Sequence, residues 1–151
     1  MSITIQQATI NDLETLHQIE RECFTTEAFN KQHLAYLLEN PNAVSLVAQI
    51  NNAIAGFIIG LILRHDERII SHIYTLDVAV KYRRKGIGLK LLNEIERIFV
   101  KRGVKICYLE VRKDNVTALE LYRRHGYVKA EELKDYYKGA HGVRLKKKIG
   151  A

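Results

Sequence analysis

The sequence has no tryptophan, one proline and two cysteines among its 151 residues, and each scarcity excludes something. Nine glycines and a single proline leave no room for a low-complexity linker, so order is expected nearly end to end, as one domain over residues 1–151. A chain of this length buries a core of its own without disulfides or metal. Cys23 and Cys107 lie far apart, with no paired spacing and no neighbouring His or Cys. Both read as reduced core thiols, and no metal is expected. The apolar run from Ala53 to Leu63 contains glycines and is too short to cross a bilayer, and no basic segment followed by an apolar one opens the chain. A cytoplasmic protein without membrane contact is expected.

Positive charge is present in excess, with 24 Lys+Arg against 17 Asp+Glu for a formal net charge of +7. A basic surface attracts phosphate non-specifically, which invites a nucleic-acid reading. The clustering is narrower than that. Lys81, Arg83, Arg84 and Lys85 sit beside a glycine turn, where a small polyphosphate ligand would use them as well as a duplex would. Lys146, Lys147 and Lys148 form a second run, read as a solvated terminal strand.

The hydrophobic pattern orders the chain as β-α-α-β-β-β-α-β-α-β-β. Ile3 and Ile5 alternate with polar neighbours in a first strand over 3–8, and Asn11 stands where it would cap a helix carrying Leu13, Leu16, Ile19, Glu20 and Cys23. A second helix starts near Asn30 and stops at Asn40-Pro41. Strands over 44–50, 54–63 and 69–78 make an antiparallel meander. Ile87, Leu91, Leu92, Ile95, Ile98 and Phe99 then recur at helical spacing up to Arg102-Gly103. A strand over 104–112, a helix over 116–125 closed by Gly126 at C′, and two final strands complete the order. Because a helix connects the strands of 69–78 and 104–112, those two should lie parallel.

Gly86 and Gly88 open the long helix directly after a strand. Unpaired N–H groups and the helix dipole make such a terminus a general anion site, and glycine lets the backbone approach the ligand. The segment lacks the third glycine of a dinucleotide fingerprint and the Gly-Lys-Ser/Thr of a nucleoside-triphosphate loop. From Thr75 to Gly88 it instead resembles the acetyl-CoA motif Arg/Gln-x-x-Gly-x-Gly/Ala of the GNAT acetyltransferase superfamily, reading Arg83-x-x-Gly86-x-Gly88. Leu109-Glu110-Val111-Arg112, Asn115, Ala118 to Tyr122, and Gly126-Tyr127 extend the likeness to N-terminal protein acetyltransferases, the ribosomal-protein-alanine branch above all.

This resemblance implies an α/β (α+β) single-domain GNAT fold, a central mixed sheet with helices on both faces. It implies acetyl-CoA as acetyl donor, the pantetheine arm lying along the backbone of Leu76, Asp77 and Val78, and the pyrophosphate on the loop of Arg83, Arg84, Lys85, Gly86, Ile87, Gly88 and Leu89. It also implies that Asn115 contacts acetyl-CoA and that the Tyr122 hydroxyl protonates the coenzyme A sulfur. Seven residues apart, the two share nearly one helical face. Asn115 could instead be a helix N-cap and Tyr122 a core aromatic.

Acetyl transfer to an amine needs a neutral nucleophile. Glu110, on the strand face it shares with Tyr108 and Arg112, matches the family's general base; part-burial is expected to raise its pKa, unless it simply pairs with Arg112. His72 is the second candidate for the proton path. Tyr136 and Tyr137 resemble paired tyrosines that grip a peptide backbone. Phe24 retains the aromatic of the loop that holds the substrate's first residue. That loop, Phe24 to Phe29, lacks the family's proline, which places the acceptor in question rather than the chemistry. The expected acceptor is a protein N-terminal α-amine, a ribosomal protein being one candidate. Lysine or small-amine acetylation is the alternative, and a non-catalytic acetyl-CoA or nucleic-acid binding module a third reading.

Overall fold

The computed structural model describes residues 2–24 and 27–150. Its strands are β1 (Ile3–Gln7), β2 (Ala43–Ile50), β3 (Ala53–His65), β4 (Arg68–Val78), β5 (Ile106–Arg112), β6 (Val128–Tyr137) and β7 (Ala140–Lys148). They form one sheet in the order β1-β2-β3-β4-β5-β7-β6. The helices are α1 (Leu13–Cys23), α2 (Lys31–Glu39), α3 (Ile87–Lys101) and α4 (Val116–Arg124). β4 and β5 run parallel, joined through α3, and the neighbouring pairs are antiparallel, as the pattern of elements requires.

Strand alternation distributes the core between two faces. Phe57 and Ile59 of β3 face α1 and α2, where they meet Leu16, Ile19, Leu34 and Leu37. Ile58 between them faces α3 and its buried stripe of Ile87, Leu91, Leu92, Ile95 and Phe99. Each such side chain removed from water contributes about 1.5–3 kcal/mol, so α3 is held by its apolar stripe rather than by propensity. Gly60 lets the helix come close: a Cβ there would stand 2.7 Å from the Phe99 ring. Among the described residues no helix is long and apolar enough to cross a membrane.

Two details differ from the sequence reading. Asn11 is not the first cap; Thr9 and Asp12 cap each other across a 3-10 turn, the Asp12 carboxylate accepting from Thr9 N at 2.9 Å, and α1 follows. Cys107 is buried as expected, but Cys23 is only half-buried at the end of α1, where its Sγ lies 3.4 Å from the Val78 carbonyl.

A buried polar cluster ties α1 to β4. Thr75 Oγ1 is 2.7 Å from Glu20 Oε1 and 2.5 Å from Asp77 Oδ1, while Glu20 Oε2 accepts from Phe29 N at 3.0 Å. Glu20 and Asp77 are each 1% exposed. One hydroxyl has one proton to donate, so satisfying both carboxyls requires a proton on one of them. Burial, then the hydrogen bond and charge of Glu20, hold Asp77 well above its ordinary value. A carboxyl whose folded pKa is raised contributes stability that is complete below its unfolded pKa and lost as pH rises through the folded value. Asp77→Asn keeps the shape and removes that loss. It should leave stability near pH 4 almost unchanged and raise it at pH 8 by on the order of 1 kcal/mol, the scale of one net hydrogen bond. Thermal melts of parent and variant from pH 4 to 9 measure the difference; parallel pH dependences would mean that Asp77 folds as a carboxylate.

Candidate active site

The parallel ladder between β4 and β5 covers Ile70↔Ile106 to Ile73↔Leu109 and then ends, although β4 continues to Val78 and β5 to Arg112. Each strand follows its other neighbour. β4 stays paired to β3 from Thr75↔Ile59 to Val78↔Gly56, after a bulge at Tyr74 that bends it; β5 stays paired to β7 out to Arg112↔Gly142. Between them lies a slot whose two walls each present an unpaired backbone edge. An extended chain can enter it as an added strand. Leu76 and Val78 border the slot. The carboxyl of Asp77 does not: it belongs to the Glu20–Thr75 cluster, so only its backbone is available to a cofactor.

Beyond Val78 the chain turns through Arg83–Lys85 into α3. Gly86 caps that helix in the left-handed conformation, φ 77°, with no side-chain cap and no acidic residue in the first turn. By contrast, Asn30 caps α2 and Asn115 caps α4 through side-chain oxygens. The amides of Ile87, Gly88 and Leu89 precede the first α3 hydrogen bond, from Lys90 N to Gly86 O. A Cβ built on Gly86 meets nothing within 4 Å, and one on Gly88 only Leu121 and Val78 at 3.7 and 3.9 Å. The loop is thus open above, with exposed Arg84 and Lys85 beside it. These features fit a pyrophosphate. Arg83 has a different duty: its Nε donates to Val78 O at 3.1 Å and its guanidinium reaches Cys23 Sγ at 3.4 Å, fastening the loop to β4.

α4 carries two more of the expected site residues, Asn115 at its N-cap and Tyr122 in its last turn. Asn115 is the helix N-cap, its Oδ1 accepting from Ala118 N at 3.1 Å, which leaves its NH2 end for a ligand. Tyr122 is 8% exposed and packs edge-on against Tyr127 with centroids 5.7 Å apart. Burial, with Asp77 and Cys107 adding to it, pushes the Tyr122 phenol far up, so it holds its proton throughout the physiological range. It packs as a core aromatic and keeps its hydroxyl proton.

At the last rungs of the parallel ladder, His72 of β4 and Glu110 of β5 meet. His72 Nε2 lies 2.6 Å from Glu110 Oε1, and Arg144 Nε of β7 donates to Glu110 Oε2 at 2.9 Å. The pairing of Glu110 with Arg112 does not occur; Arg112 binds Asp114 and Glu27. The expected rise in the Glu110 pKa is also overturned. Burial does push it up, but hydrogen bonds from His72 and Arg144, and their charges, outweigh burial and hold Glu110 below its ordinary value. Tyr74 stands edge-on to His72 with centroids 4.5 Å apart. Tyr136, half-exposed, and Tyr137 face this pair from the end of β6 and pack edge-to-face on each other at 4.9 Å. Burial, then Tyr136 and the Glu110 charge, raise the Tyr137 phenol far up.

Phe24 ends α1 one residue after Cys23, close to the end of β4; Thr25 and Thr26 of the same loop lie outside the described residues. Three neighbours of the site were not singled out from the sequence: Tyr74, Glu27 and Arg144. Arg144 alternates with Val143 and Leu145 and so declares its face, but its partner appears only once the β5/β7 register places it opposite Glu110. Among the described residues no group of three or more His, Cys, Asp or Glu could hold a metal ion.

The model of the Acetyltransferase (GNAT) family matches residues 13–127. An uncharacterized N-acetyltransferase of Methanocaldococcus jannaschii is 31% identical over 150 residues, 97% of this chain and 93% of the relative. The N-terminal acetyltransferase B complex catalytic subunit NAA20 of Arabidopsis thaliana is 28% identical over 150 residues, 97% of this chain and 85% of the relative. In fold, the chain superposes on the ribosomal-protein-S18-alanine N-acetyltransferase of Escherichia coli with a TM-score of 0.88 at 22% identity, covering 99% of this chain and 96% of the other.

Gly86→Asp puts a negative charge where the pyrophosphate is to sit, whereas Gly86→Ala carries only the left-handed backbone strain of about 1–2 kcal/mol. Calorimetric titration with coenzyme A should show binding weakened by roughly tenfold or more, about 1.4 kcal/mol, in the aspartate variant relative to the alanine variant. Equal affinities would remove the loop from the cofactor site.

Proposed function

The chain belongs to the Acetyltransferase (GNAT) family, and we propose that the amine it acetylates is the N-terminal α-amine of a protein. Acetyl-CoA, the donor this family uses, supplies the acetyl group activated as a thioester. The backbone of Leu76 and Val78 would hold the pantetheine arm and the amides of Ile87, Gly88 and Leu89 the pyrophosphate, with Arg84, Lys85 and the Asn115 amide beside it. Tyr122 holds a proton at Oη for the departing sulfur, and the His72–Glu110 pair takes the proton of the incoming ammonium group.

One observation carries the choice of acceptor. Glu110 alone is a weak base, because His72 and Arg144 beside it hold it below the ordinary carboxylate range, which leaves an imidazole as the strongest base at the site. An α-amine, with a reference pKa of about 7.7–8.0, is partly neutral near pH 7.5, whereas lysine at about 10.4 needs roughly 2.5 units more, or about 3.4 kcal/mol. A weak base suits the first and not the second. The exposed hairpin end with Tyr136 and Tyr137 beside the pair gives a chain terminus something to lie against, and the similarity to an N-terminal acetyltransferase catalytic subunit supports the same reading. A ribosomal protein in the cytoplasm remains the candidate acceptor, and residues 1–151 are taken as one catalytic domain.

The test is release of coenzyme A thiol with two peptide sets, one with a free N-terminus and no lysine, the other blocked at the N-terminus with an internal lysine. Free N-termini should react at least about tenfold faster at pH 7.5, a fraction of the roughly 3.4 kcal/mol separating the two amines. Equal rates, or a preference for the blocked set, would turn the assignment to lysine.

A further inference from the structure

The hydrogen bonds around Glu110 admit two protonation states of the His72–Glu110 pair, which differ by one proton exchanged with solvent. In the first, His72 Nε2 is protonated and donates to an ionised Glu110. In the second, Glu110 carries the proton on Oε1 and donates to a bare Nε2. Both satisfy the 2.6 Å contact, and both leave Oε2 to accept from Arg144. They differ in chemistry. The first leaves Nδ1 as the ring's lone pair and makes the imidazole the proton acceptor, while the second has taken one further proton from solvent, holds it on Nδ1, and leaves the ring without a free lone pair.

Arg144 stands where it decides between them. It is directly opposite Glu110 in the β5/β7 register and opposite Glu131 in the β6/β7 register. Its Nε donates to Glu110 Oε2 at 2.9 Å and its Nη1 to Glu131 Oε1 at 2.6 Å. The side chain of Glu110 is 10% exposed, and that of Arg144 33%. His72, Glu110, Arg144 and Glu131 thus form a line across four adjacent strands, anchored at the outer end by an exposed acid. A guanidinium only donates and stays charged, so it favours a carboxylate over a carboxylic acid, the more so at a part-buried site. Among the described residues, the phenols of Tyr74 on β4 and of Tyr136 and Tyr137 on β6 also face Glu110.

We propose that Arg144 is a positioning residue that fixes the shared proton on His72 Nε2, so that Glu110 orients the ring and His72 Nδ1 receives the proton of the acceptor amine. When that proton arrives, the imidazolium formed is stabilised by the carboxylate already bonded to it; no bond other than N–H is made or broken in the step, and solvent takes the proton afterwards. This division of labour rests on the acetyltransferase reading of the site, but the proton placement belongs to the protein without ligand.

Two readouts test it. The first is the ring nitrogen chemical shifts of His72 in the ligand-free protein near pH 8, which should report protonated Nε2 and bare Nδ1 in the parent and a mixture of tautomers in Arg144→Met. The second is kcat/KM against pH. Its acid limb should move to higher pH in Arg144→Met, with a loss of roughly tenfold near pH 6.5, part of the about 10²–10⁴ that a positioned acid–base group supplies. Arg144→Lys should restore most of both, and His72→Gln should impair turnover more than Glu110→Gln. Should Arg144→Met fail to fold, Arg144→Gln keeps a donor at about the position of Nε without the charge. Unchanged ring shifts and a superimposable pH profile in the uncharged variant would overturn the proposal. A parent that acetylates no amine would instead sink the functional reading, and the ring shifts would still judge Arg144.

Discussion

β4 and β5 share four rungs of parallel ladder and are then claimed by different neighbours, β4 by β3 and β5 by β7. Backbone hydrogen bonds on the outer sides hold each strand in place while the inner edges face each other across the slot without bonding. Nothing else in the site could be where it is without that parting. His72 and Glu110 sit at and just beyond its apex, Tyr122 lies buried beneath it, and the chain leaving its β4 side runs directly into the left-handed turn at Gly86.

The charges follow the same geometry. At the far end of β4, the one helix start without a side-chain cap or an early acid, among the longer helices with described caps α2 and α4, is the one flanked by Arg83, Arg84 and Lys85. At the apex, a carboxylate is held between an imidazole and a guanidinium. On the opposite face, burial beside Glu20 raises the pKa of the Asp77 carboxyl, and the Thr75 hydroxyl lies between the two acids. Three environments within a few residues of β4 therefore favour an anion, a carboxylate and a carboxylic acid in turn. Each is explained by its neighbours: backbone amides with cations, two donors, or apolar burial with a second acid.

What could be read from the sequence was periodicity and local motif. The apolar stripe of α3, the C′ glycine at 126 and the glycine loop all follow from residues close in the chain; they ordered the elements, and the resemblance of the loop to the GNAT motif implied the cofactor. Cross-strand partners did not follow. Alternation says that Glu110 and Arg144 each leave the core face, but not that β7 inserts beside β5 in the register that places them opposite each other. The same gap left a pairing of Glu110 with Arg112, two residues along its own strand, open as an alternative and gave its pKa the wrong sign, because burial was expected from the sequence and the two donors were not visible. Asp77 was placed with the cofactor through its backbone, between Leu76 and Val78; its side chain joins Glu20 and Thr75 on the α1 side.

The central claim is that an extended ligand arm completes the sheet between β4 and β5 with its phosphates on the start of α3. Backbone amide hydrogen exchange with and without saturating coenzyme A tests it most directly. The account predicts slowed exchange in 74–78, 84–89 and 110–112, with the β1–β2 edge unchanged, because added-strand and helix-terminus hydrogen bonds form only there. Saturation by coenzyme A with no protection in those segments, or with protection confined to another face of the sheet, would contradict it.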